Sequence, residues 1–278
     1  MGLRIATNIA SQMVRRNLKN NSETIKDEYQ KLSSGSRITK AADDAAGMAI
    51  GKKLEATTRG LRQATRNAND GISFVQTAEG GLSETSNILV RLRELTIQSA
   101  SDTMGDKERE LLDSEYQQLV QEVDRIAEST TFNGAKVISG DTGRGTLDFH
   151  VGAFGGEVNQ IKFDSDQADA HANAIGVDGT GVATKEDANS SISALDEAID
   201  KVSGLRAGLG AMQSRLQSTV GNLEVQTINQ DQARSVIMDV DVAESTAKLA
   251  ARSVMKQASM SSLVQANNIP NAAVRLIG

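Results

Sequence analysis

Ten apolar residues between Ile192 and Leu223 follow one another at steps of only three or four residues: Ile192, Leu195, Ile199, Val202, Leu205, Leu209, Met212, Leu216, Val220 and Leu223. This spacing is a coiled-coil seam about four heptads long, and at a rise of ~1.5 Å per residue it predicts a helix of roughly 45–50 Å. Thr184 to Asp187 and Ser193 to Asp196 each offer a capping-box start for it. A helix so striped cannot stand alone in water. It needs partners of matching length, which restricts the chain to long helices packed side by side.

Two partners are legible in the first half. Ile72, Val75, Leu82, Leu89 and Leu92 mark one stripe, and Leu112, Tyr116, Leu119, Val123 and Ile126 mark another. The short turn-rich link from Ser101 to Asp106 makes these two helices antiparallel neighbours. Gly71, Gly80 and Gly81 weaken the first helix by propensity and are predicted to be sites of close helix approach. Composition agrees: with no Trp, 3% aromatics and a single proline, Pro270, the chain has the residues of long helices rather than of a large aromatic core. The lack of Cys excludes a disulfide scaffold and thiolate chemistry.

After Thr131 the period changes. Phe132-Asn133-Gly134 is a helix stop with a turn dipeptide. Beyond it Leu147, Phe149 and Val151 alternate with Asp148 and His150, and Ile161 and Phe163 flank Lys162, so residues 146–164 are predicted to form a β-hairpin around a Gly-rich loop. Residues 165–187, rich in Asp, Ala, Gly and Thr, are predicted to be a surface excursion. The fold class is therefore mainly α: a long antiparallel helical bundle or coiled coil with one small β-hairpin, and with the N- and C-terminal helices paired. The late seam needs the early helices to cover it, which brings both ends of the chain together.

Those ends are more apolar than solvated tails require. Leu3, Ile5, Ile9, Met13 and Val14 stand at one and Leu249, Val254, Met255, Leu263, Val264, Val274, Leu276 and Ile277 at the other, diluted by Asn, Gln, Ser and Thr. Such segments order on binding, and two of them at one end of a rigid body suit polymerisation. Neither a cleavable signal peptide nor a membrane span is expected, because no window carries the continuous apolar run either needs. Residues 1–68 hold 13 of the 30 Lys and Arg but 6 of the 36 Asp and Glu. The basic charges alternate with small and apolar residues and lack an aromatic platform, so nucleic-acid binding is not expected.

A search for chemistry returns little. His150 and His171 are the only histidines and stand in no metal-ligand spacing. Gly47 to Lys53 resembles a phosphate loop but has the wrong spacing, and Gly143-Arg144-Gly145 and Gly208-Leu209-Gly210 fail the dinucleotide pattern. Asp43-Asp44 and the Asp239/Asp241 pair could ligate a metal, yet acids at helix openings are explained by the helix dipole. No catalytic residue, metal or cofactor is expected.

The motifs carry a resemblance instead. Leu32-Ser33-Ser34-Gly35-Ser36-Arg37-Ile38, Ala42-Asp43-Asp44-Ala45-Ala46-Gly47-Met48-Ala49-Ile50, Arg66-Asn67-Ala68-Asn69-Asp70-Gly71-Ile72-Ser73 and Gln76-Thr77-Ala78-Glu79-Gly80 are similar to the amino-terminal signature of the bacterial flagellins. Thr131-Phe132-Asn133-Gly134 and Gln265-Ala266-Asn267-Asn268-Ile269-Pro270 are similar to that family's later motifs. The resemblance implies a self-assembling structural subunit of the flagellar filament, secreted through the flagellar type III export apparatus and met by an export chaperone, a filament cap and hook-filament junction proteins. It implies residues 1–39 and 237–278 as paired polymerisation arms, with Leu3, Ile5, Ile9, Leu249, Val254, Leu263 and Leu276 on their apolar stripes. It implies 40–189 and 190–236 as the body between them, a minimal form with only 165–187 in place of large outer domains.

The resemblance further implies recognition by Toll-like receptor 5. Val90 to Gln98 is similar to the family's receptor-binding segment, with Arg91 and Leu95 on a shared helix face and Glu115 on the returning helix. The rival within the same system is the hook-filament junction protein, which shares terminal helices with flagellin but not the dense central signatures. The rival of another class is a flagellin carrying a metalloprotease, and this chain has no H-E-x-x-H.

Overall fold

The computed structural model describes residues 7–140, 145–165 and 168–275, with side chains as far as Asn268. Helices α1 (Ile9–Ser34), α2 (Ala45–Ala100) and α3 (Asp106–Ser129) are followed by strands β1 (Thr131–Phe132), β2 (Ala135–Lys136), β3 (Leu147–His150) and β4 (Gln160–Phe163). A short α4 (Ala172–Ile175), then α5 (Lys185–Met238) and α6 (Val242–Arg275), complete the order. The chain divides into two compact units, one of Met1–Ala56 with Asn229–Gly278 and one of Thr57–Ile228. Long helices with a small antiparallel strand pair are the architecture the periodicity predicts.

In the unit of Thr57–Ile228 the core follows a strict heptad along α2. Leu61, Ala68, Val75, Leu82, Leu89 and Thr96 alternate with Ala64, Gly71, Ala78, Thr85, Leu92 and Ser99, and every one is buried. Seven of these twelve positions are Ala, Gly, Thr or Ser, so the hydrophobic pattern shows only part of the seam. Helix α5 answers with Leu195, Val202, Leu209, Leu216 and Leu223, buried at intervals of seven residues, and α3 with Tyr116, Val120, Val123 and Ala127. Each fully buried Leu or Val contributes about 1.5–3 kcal/mol, so this layer outweighs the polar and helix-propensity terms around it. Arg93 adds an ion pair to Asp196 at 2.7 Å, tying α2 to α5.

Local chemistry sets the ends of these elements. The Asp187 amide donates to Thr184 Oγ1 at 3.1 Å and that hydroxyl donates to Asp187 Oδ2 at 2.7 Å, so α5 starts where the first capping box predicts. The second box is not a start: Ser193 lies inside α5, its hydroxyl donating to the Ser190 carbonyl, and Asp196 serves Arg93 instead. Between α2 and α3 the buried Arg109 guanidinium donates to the carbonyls of Ser99, Ser101 and Met104, closing the exposed end of α2.

The predicted hairpin forms, with Leu147 opposite Phe163 and His150 opposite Gln160. Its rings gather on Phe74 of α2, whose centroid lies 5.0 Å from Phe163, 5.6 Å from Phe149 and 5.8 Å from Phe132, all edge-on. Asn133 (φ 49°) and Gly134 (φ 77°) do more than stop a helix, since they close a second two-residue hairpin between β1 and β2.

Residues 165–187 depart from expectation. Ala168, Ala170, Ala172, Ile175, Val177 and Val182 are buried, so the segment is a covering layer of the core rather than a solvated excursion. Hydrogen bonds hold it: Ala170 N to Ile138 O at 3.0 Å, Ala172 N to Asp124 Oδ1 at 2.8 Å, and Val182 N to Asp113 Oδ1 at 2.8 Å. Ser99 Oγ donates to Val182 O at 2.6 Å from the other side.

In the other unit α1 and α6 run antiparallel. The Asn8 amide donates to Ala266 O at 2.7 Å, Asn21 Nδ2 to Arg252 O at 2.8 Å, and Ser36 pairs with Asp239 in an isolated bridge. Gly35 (φ 69°) ends α1, and Val240 N donates to its carbonyl at 3.0 Å. Arg37 donates to the Ile237 carbonyl through Nη2 at 2.7 Å. The predicted pairing of the terminal helices is thus made through both side chains and main chain.

Candidate assembly and recognition surfaces

The α1–α6 contact is unusual in what it buries. Its most buried positions are Ser11, Asn21 and Glu28 on α1 and Ser245 and Ala266 on α6, joined by the bond from Ser11 Oγ to Asn267 Oδ1 at 2.8 Å. Leu18, Ile25, Leu249 and Leu263 are half-buried beside this polar seam. Other apolar residues point outward: Ile9 is 51% exposed, Val254 66% and Val264 63%, and Val242 is exposed too. A helix pair that hides Ser and Asn and shows Ile and Val presents surface for burial elsewhere. Of the residues predicted on the arms, Ile9 and Val254 are on this exposed surface and Leu249 and Leu263 border it, whereas Leu3, Ile5 and Leu276 lie outside the described residues.

One acid of each pair acts as a helix-start residue. Asp44 Oδ1 accepts from Gly47 N at 2.8 Å at the opening of α2, and Asp241 Oδ1 accepts from Ala243 N and Glu244 N at the opening of α6. Asp43 Oδ2 accepts from Thr39 N and Lys40 N, and these backbone bonds hold its carboxyl below the ordinary carboxylate value. Asp239 lies in the strand-like bridge to Ser36. Among the described residues no group of three or more His, Asp or Glu could hold a metal ion, and no helix is long and apolar enough to cross a membrane. His150 is on β3, and His171 precedes α4 with its Nδ1 3.8 Å from Asp169.

The α2–α3 surface brings together two of its three predicted residues. Arg91 Nη2 lies 2.8 Å from Glu115 Oε1 across the two helices, and Nη1 lies 3.2 Å from Glu94. The Glu115 bond and then the Glu94 bond raise the arginine's pKa, so it stays a fixed cation at every working pH. Leu95 does not join them. It is 1% exposed and belongs to the core with Leu92 and Leu89, so the predicted Arg91–Leu95 face is corrected: four residues along a helix turn the side chain by about 40°, enough here to carry it from surface to interior. Three apolar residues of these helices are exposed, Val90, Ile97 and Leu111, of which Val90 and Ile97 fall within the segment the resemblance marks. Their signal was available, because they fall outside the buried heptad of α2 and the buried stripe of α3.

Comparisons with known proteins agree with the helical fold. The family model described as the bacterial flagellin N-terminal helical region matches residues 5–142, and that of the bacterial flagellin C-terminal helical region matches 192–277. A flagellin of Halalkalibacterium halodurans is 40% identical over 97% of this chain and 98% of its own length. The Flagellar filament core protein flaB2 of Brachyspira hyodysenteriae is 38% identical over 98% and 99%, and the flagellin of Bacillus subtilis 37% over 99% and 100%. Among solved structures, the crystal structure of Bacillus cereus flagellin superposes with a TM-score of 0.50 at 28% identity, covering 57% of this chain and 88% of that one. A putative flagellar hook-associated protein from Vibrio parahaemolyticus reaches a TM-score of 0.58 over 70% of this chain and 99% of its own, at 15% identity, a likeness of fold alone.

Proposed function

The chain belongs to the bacterial flagellin family and is a structural subunit that self-assembles into the flagellar filament, and on that premise we propose that its terminal helices carry the polymerisation surface. The relatives matched over nearly their whole length are flagellins and a filament core protein, which favours the filament subunit over the hook-filament junction protein. The observation that supports the arms is the inverted α1–α6 pair, with Ile9 and Val254 outside and Ser11 and Asn21 inside. The arms comprise residues 1–39 and 237–278, with Leu3, Ile5, Leu249, Leu263 and Leu276 completing their stripes, and the body comprises 40–189 and 190–236.

Burial of one such Ile or Leu is worth about 1.5–3 kcal/mol, and in a homopolymer each contribution repeats in every subunit. The test is elongation from filament seeds by chains lacking residues 1–39 or 267–278. Both are expected to stay monomeric with their remaining helices folded by circular dichroism. Filaments of normal length from either would refute the arms.

The same exposed stripe accounts for the rest of the reading. Val242, Val254, Met255 and Val264 on one helix would bind nonspecifically before export, so a chaperone that lays α6 in an apolar groove guards the subunit until the flagellar type III apparatus secretes it. Filament cap and junction proteins meet the same arms at the two ends of the polymer. On the body, Arg91 and Glu115 with the neighbouring Val90 and Ile97 form the surface recognised by Toll-like receptor 5, while Leu95 supports it from beneath. The role is structural: the acids of the helix openings and the two histidines serve no reaction in this reading, and no nucleic acid or bilayer is engaged.

A further inference from the structure

Met13, Met255 and Met260 are 65%, 43% and 52% exposed, and all three stand on the terminal helices. Met48, Met104, Met212 and Met238 are half-buried, and the chain contains no Cys, so the arm thioethers are the most accessible sulfur among the described residues. Two of them share one flank of the α1–α6 pair. Met13 borders a hollow with Ile9 and Asn17, and Asn17 also lines the next hollow, about 510 Å³, where Met255 faces Val14 and Asn21. Asn21 is 7% exposed; its Nδ2 is committed to the Arg252 carbonyl while its Oδ1 has no hydrogen-bond partner. That acceptor is enclosed beneath the flank, whereas the thioethers of Met13 and Met255 stand on its surface.

We propose that these methionines are oxidation sites that gate assembly: hydrogen peroxide converts the arm thioethers of the free subunit to sulfoxides, and the oxidised subunit no longer joins the filament. In each step a sulfur lone pair attacks one peroxide oxygen, the O–O bond breaks, and the second oxygen leaves as water with the two peroxide protons. The thioether is oxidised by two electrons and the peroxide reduced. A flexible apolar side chain becomes polar and a strong acceptor. In the Met255 hollow an incoming subunit then meets a polar acceptor where it would have buried a thioether. Once the arms are buried in the filament the same sulfurs are shielded, so exposure to oxidant is read at the moment of addition. The proposal rests on the arms being the polymerisation surface.

The experiment treats full-length free subunit with hydrogen peroxide, maps sulfoxides by mass spectrometry of peptides, and measures elongation on filament seeds. Met13, Met255 and Met260 are expected to oxidise before Met48, Met212 and Met238, and elongation to fall about tenfold or more. Methionine sulfoxide reductases should restore it. A Met13→Leu/Met255→Leu/Met260→Leu chain should elongate equally with and without peroxide, since Leu keeps the volume and helix propensity. A Met13→Leu/Met260→Leu chain, which retains Met255, should remain sensitive. Wild-type subunit fully oxidised at the three sites yet elongating at the untreated rate overturns the proposal, and so does a triple-leucine chain that loses elongation to the same degree. The arm reading is scored separately by the untreated truncations: if those fail to elongate while oxidised wild type succeeds, only the oxidation gate has fallen.

Discussion

Leu95 and Arg91 show how much a single helical step decides. The leucine side chain is enclosed by the core of α2, α3 and α5, while the arginine fork lies on the surface against Glu115 and Glu94. Replacing Leu95 by Ala should destabilise the subunit by roughly 2–5 kcal/mol, the range for a truncated buried leucine, whereas Arg91→Ala should leave the urea midpoint where it was. Receptor signalling by depolymerised subunit in a reporter cell line should respond in the opposite order, falling most for Arg91→Ala when measured at a temperature where both variants are folded. Equal potency of Arg91→Ala and wild type would dismiss the receptor surface. A second residue-scale effect concerns acid. Asp102 accepts from Lys185 at 2.5 Å, and that bond holds its carboxyl below the ordinary value of 3.8. A lowered folded-state pKa contributes stability that is present above the unfolded value and lost as pH falls through the folded one. Asp102→Asn should therefore lower stability at pH 7 and make it less sensitive to acidification below about pH 4, measured by urea titration at each pH.

At the scale of elements, glycine supplies a sharp comparison within one helix. A Cβ on Gly81 would stand 2.7 Å from Ile138 Cδ1 and 2.8 Å from Thr130 Oγ1, and one on Gly71 3.2 Å from Phe149, so both are the close-approach sites the sequence suggests. Gly80 meets nothing within 4 Å and is not one. Gly80→Ala should stabilise α2 by up to ~1 kcal/mol through propensity, while Gly81→Ala should destabilise it, because Ile138 is fully buried and has no room to yield. Opposite shifts in melting temperature check the pair. The same comparison explains what was legible. The α5 seam, the antiparallel α2–α3 pair, the hairpin at 147–163 and the Thr184 cap were all readable, because each rests on periodicity or a short-range motif. The covering layer at 168–182 was not, since polar bonds to Asp113, Asp124 and Ser99 hold it and hydropathy does not register them. More than half of the α2 heptad was hidden for a related reason: Ala, Gly, Thr and Ser fill positions where helices approach closely, and a stripe of small residues looks like no stripe at all.

For the whole molecule, the two units differ in how their cohesion is made. The unit of Thr57–Ile228 is closed by apolar and aromatic side chains buried from several elements, among them Tyr116, Leu82 and Leu195, each with none of its surface exposed. The unit of Met1–Ala56 and Asn229–Gly278 joins α1 to α6 through amides and hydroxyls and leaves Ile9, Met13, Val254, Met260 and Val264 outside. Each such hydrogen bond contributes only about 0.5–1.5 kcal/mol net, no more than ordering the side chains that make it tends to cost, so the α1–α6 pair is expected at the low-stability end of the subunit while it is free. In the proposed assembly, neighbouring subunits fill its outer face and add the apolar burial it lacks. Hydrogen exchange should report this directly. In free subunit the amides of α1 and α6 are expected to exchange orders of magnitude faster than those of residues 61–99 and 195–223; in the filament, protection should rise in the two terminal helices and change little in the body. Equal protection of α1 and of residues 61–99 in the free subunit would mean that the polar seam suffices, and that assembly adds contacts without completing the fold.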